Sequence, residues 1–141
     1  MEIKMCTSIE QSKKLLELGL NPESADMCYV IDYVESNKYG TDHFKLEVDN
    51  YGLKVQTRDN IPCWSLASLL DVLPESITKY IEGESCQKTF HLNLFHSYYH
   101  CVSYSFTPSV NDDNTLYCIG RDNWVDACVA MIEKLHELNL L

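Results

Sequence analysis

The strongest constraint on how this chain can fold is a period-two alternation beyond its midpoint. Phe90, Leu92 and Leu94 alternate with His91, Asn93 and Phe95; after a break, His100, Val102, Tyr104 and Phe106 alternate with Cys101, Ser103 and Ser105. Successive side chains of a strand point to opposite faces, so this stretch predicts two strands joined near Ser97-Tyr98. Phe95 then shares a face with His91 and Asn93. Thr115–Ile119 predicts a further strand after the polar turn Pro108–Asn114, and Gly120 ends it. Ile77–Ile81 fits either a strand or a helical turn.

Earlier in the chain, residues 28–33 are rich in β-branched and aromatic types and predict a strand on which Tyr29 and Tyr33 share a face. Glu35–Gly40 reads as a turn. In residues 43–49, Phe44, Leu46 and Val48 alternate with Lys45, Glu47 and Asp49, and Leu53, Val55 and Thr57 resume the pattern after Asn50-Tyr51-Gly52. That predicts a hairpin with one buried face, followed by a loop over residues 58–62.

Three helices are signalled. The first covers residues 8–18, with Thr7 as N-cap and Glu10 completing a capping box; Ile9, Leu16 and Leu20 form its apolar stripe, and Gly19 ends it. The second covers 66–73, with Ser65 as N-cap, Trp64 packing one turn on against Leu69, and Pro74 as the stop. The last runs from about Trp124 to Leu138 behind Asn123, and its apolar tail Leu138-Asn139-Leu140-Leu141 is expected to dock. The order is α-βββ-α-β(β)ββ-α. Few strands alternate with helices, which disfavours a doubly wound parallel sheet, and an α+β fold fits better. The expectation is a single domain over residues 1–141, its antiparallel sheet or sheets packed by about three helices.

Charge narrows the partners. Lys plus Arg number 11 against 21 Asp plus Glu, a formal charge of −10. Such a chain repels phosphate backbones and anionic headgroups, so neither direct nucleic-acid binding nor a membrane surface is expected. No apolar run approaches the roughly 20 residues of a membrane span. Met1-Glu2-Ile3-Lys4 has neither a basic nor an apolar leader region, so a cytoplasmic location is expected. Cys6, Cys28, Cys63, Cys86, Cys101, Cys118 and Cys128 are odd in number, irregularly spaced and without a Cys-x-x-Cys pair, which reads as reduced thiols.

Candidate chemistry is sparse. His91, His96, His100 and Cys101 are the best metal-ligand set. Along one strand His96 and His100 share a face but stand about 13 Å apart, too far for one ion, unless a turn at Ser97-Tyr98 folds them together. The expectation is no metal and no cofactor. Cys63, just before a helix, is the least implausible thiol nucleophile, with His43 or His100 as base. Ser65 lacks a nucleophile-elbow context, Asp112-Asp113 lies in a polar turn, the glycines form no phosphate loop, and His136 suits packing or capping. The positive signal is aromatic: nine tyrosines, with Tyr98 and Tyr99 at the turn beside Phe95. Tyrosine is enriched at protein interfaces, so Phe95, Tyr98 and Tyr99 are the candidate contact residues.

Cys6-Thr7-Ser8-Ile9-Glu10-Gln11-Ser12-Lys13-Lys14-Leu15, Ile61-Pro62-Cys63-Trp64-Ser65-Leu66 through Leu73-Pro74, and Asp126-Ala127-Cys128 through Leu135-His136-Glu137-Leu138 carry a resemblance. Together they resemble a family of small uncharacterised proteins from prophages and mobile elements of gut anaerobic bacteria. The resemblance implies a bacterial cytoplasm and an accessory rather than metabolic role, with no activity, cofactor or site to carry over. The expected function is a non-enzymatic protein-binding or regulatory module, with self-association left open. The alternatives are an acidic nucleic-acid mimic that inhibits a DNA-binding protein, and a small thiol- or metal-dependent enzyme.

Overall fold

The computed structural model describes residues 3–48, 60–80, 83, 86–106 and 115–141. It is α+β, with antiparallel sheets of three and four strands among the described residues. The chain divides into two compact units, Met5–Leu69 and Met1–Lys4 with Leu70–Leu141.

In the Met5–Leu69 unit, helix α1 (Ile9–Glu17) is capped one residue later than the sequence suggested. Ser8, not Thr7, is the N-cap: the Gln11 N–H donates to Ser8 Oγ at 3.1 Å and the Ser8 N–H to Gln11 Oε1 at 3.0 Å. Thr7 is fully buried, its hydroxyl hydrogen-bonded to Ser12 Oγ at 2.8 Å and accepting the Trp64 N–H at 3.0 Å. The same i, i+3 spacing served both pairs, and tertiary contacts had already engaged Thr7. Leu15 and Ser12 form the buried centre of the helix, with Ile9, Leu16 and Leu20 half-buried. Gly19 at φ 94° ends it as expected, with the Leu20 N–H closing on Leu15 O at 3.1 Å.

Strand β1 (Met27–Ile31) lies between β2 (Phe44–Glu47) and β3 (Ile61–Cys63), with Tyr29 opposite Leu46 and Met27 opposite Cys63. Two sequence readings are corrected here. Residues expected to finish the first strand and turn instead form helix α2 (Tyr33–Tyr39), so Tyr33 does not share a strand face with Tyr29. The cause is local: Asp32 caps the helix by accepting the Glu35 N–H at 3.2 Å, and Gly40 at φ 70° closes it. Second, Ile61–Cys63 is a strand rather than part of a loop. Pro62 supplies no ladder donor and obscures the pattern, but the chain beyond is held by the Thr7 N–H donating to Trp64 O at 2.9 Å. The expected strand Leu53–Thr57 and its Asn50–Gly52 connection lie outside the described residues.

Helix α3 (Leu66–Val72) starts behind Ser65, whose hydroxyl accepts the Ser68 N–H at 3.3 Å. Asp26 holds this start: its carboxylate accepts the Ser65 N–H at 2.9 Å and the Ser65 hydroxyl. Burial pushes the Asp26 carboxyl up, but hydrogen bonds from Ser65 and Ser68 outweigh it and hold the group below its ordinary value. Asp26→Ala should therefore destabilise the protein by about 1.5–3 kcal/mol, the range for a hydrogen bond to a charged group. Because the folded-state pKa is depressed, the difference between wild type and variant in urea titrations should be full at neutral pH. It should shrink as pH falls through the carboxylate range.

In the other unit, β4 (Ser76–Tyr80), β5 (Gln87–His96), β6 (His100–Ser105) and β7 (Thr115–Arg121) form an antiparallel meander in that order. The ambiguous segment after Pro74 is thus a strand. Helix α4 (Trp124–Glu137) packs on β6 and β7, and Asn123 caps it by accepting the Asp126 N–H at 2.8 Å. Val125, Cys128, Met131, Ile132 and Leu135 are buried along it. The register puts Val102 between Leu94 and Ile119, and Tyr104 between Leu92 and Tyr117. Val102 and Tyr104 are fully buried, and the Tyr104 hydroxyl donates to Pro74 O at 2.7 Å. The C-terminal tail does not dock as expected, for Leu138 and Leu141 are exposed. Asn139, at φ 55°, and the Leu140 N–H bonding Leu135 O at 2.9 Å close the helix with a capping turn. This satisfies the terminal backbone locally.

Candidate functional site

The β5–β6 hairpin gathers most of the residues singled out above. Its six paired positions run from His91 opposite Ser105 to His96 opposite His100. The Ser97 N–H donates to Tyr99 O at 3.1 Å and closes the turn. Tyr98 stands at the tip with 97% of its surface exposed, and Tyr99 beside it is 54% exposed. Phe95 is half-buried, opposite Cys101 and on the face of His91 and Asn93 as its alternation required. The contact candidates therefore separate into an exposed tip, Tyr98 and Tyr99, and a partly packed Phe95.

Tyr99 is seated on Gly120. A Cβ added at Gly120 would lie 3.0 Å from Tyr99 Cβ and 3.2 Å from Cys101 Sγ, closer than such atoms ordinarily pack. The glycine that the sequence marks as the end of a strand is thus the floor under an aromatic ring. Central positions of this face are small: Ser103 is fully buried, and its hydroxyl has no hydrogen-bond partner among the described residues. Asn93 donates to Ser105 Oγ. Burial, then its neighbour Cys101, pushes the Cys118 thiol up.

The opposite face carries a histidine pair. The His96 and His100 rings meet across the hairpin with centroids 4.5 Å apart and planes at 56°. The edge-on Trp124 ring lies 4.7 Å from His100 at 78°. The turn does what the strand spacing alone could not. His91 and Cys101, however, belong to the other face of the sheet, so the four expected ligands do not gather. Among the described residues no group of three or more His, Cys, Asp or Glu could hold a metal ion.

Cys63 is not poised as a nucleophile. It is fully buried, and its thiol donates to Thr7 O at 3.3 Å. Burial first, then its neighbour Cys6, pushes the thiol up to about 12, so at neutral pH it stays protonated. The rings near His43 are those of Tyr39 at 5.1 Å, and its Nε2 lies 3.1 Å from Thr41 Oγ1; His100 belongs to the other unit. Ser65 is engaged with Asp26 as a cap, and His136 is exposed in the last turn of α4. Asp112-Asp113 lies outside the described residues. All seven cysteines are free thiols.

Sequence reasoning missed one signal that was available to it. Residues 89–111 contain no Asp, Glu, Lys or Arg, in a chain of which 23% is charged. This run contains the hairpin with its exposed tyrosines and three of the five histidines. Among the described residues no helix is long and apolar enough to cross a membrane. The chain matches no protein-family model, no curated protein and no solved structure.

Proposed function

We propose that this protein is a non-enzymatic binding module that acts through protein contact, with the tip of the β5–β6 hairpin as its contact surface. The observation that carries this reading is the coincidence of an uncharged stretch, residues 89–111, with the exposed Tyr98 and Tyr99 at its turn. Interface cores are depleted in charge and enriched in tyrosine. A tyrosine gives large contact area with only two side-chain torsions to freeze. The hairpin is anchored by the buried Val102 and Tyr104 on its central strand, which presents the tip on a pre-ordered support. The burial and high pKa of Cys63 weigh against a thiol enzyme. The resemblance drawn from the sequence adds the setting: an accessory protein of a phage or mobile element in a bacterial cytoplasm.

The test is Tyr98→Ser. The side chain is solvent-exposed, so the melting temperature should change little, within about 0.5 kcal/mol of stability. Proteins that co-purify with the wild type from its native cytoplasm, or a self-associated species in light scattering, should be lost. A variant equally stable that retains every partner and the same oligomeric state overturns the proposal.

A further inference from the structure

The geometry points to a two-imidazole chelate for a divalent copper ion at His96 and His100. Backbone pairing across the hairpin sets the two residues directly opposite one another, and their rings stand 4.5 Å apart. An imidazole nitrogen bonds a metal at about 2.0 Å, so the ion would lie roughly 3.1 Å from each ring centre. Two such rings at the right angle of a tetragonal site have centres about 4.5 Å apart, against about 5.1 Å at the tetrahedral angle. The observed spacing admits both imidazoles on one ion, and copper heads the affinity order for nitrogen ligands. Among the described residues neither imidazole makes a hydrogen bond, so no described group competes for its lone pair.

Access and orientation support the assignment. His96 is exposed and His100 half-buried, which leaves room for water at the remaining coordination positions. The Trp124 edge against His100 restricts that ring before any ion arrives. Arg121, opposite His100 on β7, donates its guanidinium to Gly120 O at 2.7 Å. No redox step is involved: each neutral imidazole donates one ring-nitrogen lone pair, and two waters leave the hydrated ion.

The experiment uses the full chain carrying Cys86→Ser and Cys118→Ser, because these two exposed thiols would bind or reduce copper. Cu(II) alone is titrated at neutral pH. One equivalent should quench part of the tryptophan fluorescence, through Trp124, and give a paramagnetic resonance spectrum with two nitrogen ligands. His96→Asn and His100→Asn should each weaken binding at least tenfold, while His91→Asn, on the opposite face, should leave it unchanged. Because His96 is exposed, its variant should keep the wild-type melting temperature. Absence of saturable one-to-one binding, or binding that survives both substitutions, overturns the assignment. The outcome is independent of Tyr98, so partner binding and copper binding stand or fall separately.

Discussion

Trp64→Ala should destabilise the protein by about 3–5 kcal/mol, the cost of truncating a large buried aromatic. Trp64 is the largest fully buried side chain among the described residues. Its backbone is engaged on both sides: the N–H donates to Thr7 Oγ1 at 3.0 Å and the carbonyl accepts the Thr7 N–H at 2.9 Å. The indole N–H donates to Ser24 Oγ at 2.9 Å. Removing this fully buried ring leaves a cavity in its place. Trp64→Phe separates the contributions. It keeps most of the apolar area and loses the bond to Ser24, an exposed residue that water can satisfy. It should cost clearly less than the alanine variant. Urea midpoints for the three proteins decide this, and an unchanged midpoint for Trp64→Ala would show that the indole contributes nothing to the core.

Stability should also fall steeply in alkali. Burial raises the Cys63 and Cys128 thiols from their ordinary 9.0 to about 12. The unfolded chain therefore releases these protons first, and the folded state binds more protons over that interval. By linkage the stability these groups contribute is fully present below the ordinary thiol value and lost as pH rises toward the folded-state value. Each thiol adds a slope of up to about 1.4 kcal/mol per pH unit. Tyr104, raised by burial, acts in the same direction at higher pH. Urea unfolding at a series of pH values above neutrality should show this decline, and Cys128→Ala should flatten it by one thiol's share. The comparison is of slopes, since the variant also loses packing on α4. Identical slopes for wild type and variant would mean that Cys128 ionises as easily folded as unfolded.

The proposed contact surface was only partly visible beforehand. Tyr98 and Tyr99 could be placed at a turn because alternation stops on one side of them and resumes on the other. The separation of His91 from His96 also follows from odd and even positions along one strand. The close approach of Tyr99 to Gly120 could not be read this way, because it involves neighbouring strands whose register depends on the whole sheet. Nor could the Trp124 edge on His100, which brings a helix N-terminus beside a hairpin end.

Local chemistry in the sequence determined α1, α3 and α4 with their glycine or polar caps, and the period-two strands β5 and β6. It also determined the α+β class, because those signals act over at most four residues and need no distant partner. The caps at Asp32 and Gly40 belong to the same level, and α2 was missed only because its seven residues read as a turn. The tertiary structure alone decided which of two adjacent hydroxyl residues, Thr7 or Ser8, would cap α1. It also made Ile61–Cys63 a strand and buried Cys63 beyond the reach of thiolate chemistry. Each of those outcomes depends on a hydrogen-bond partner or a burying neighbour far along the chain, and such a partner is supplied only when the chain packs.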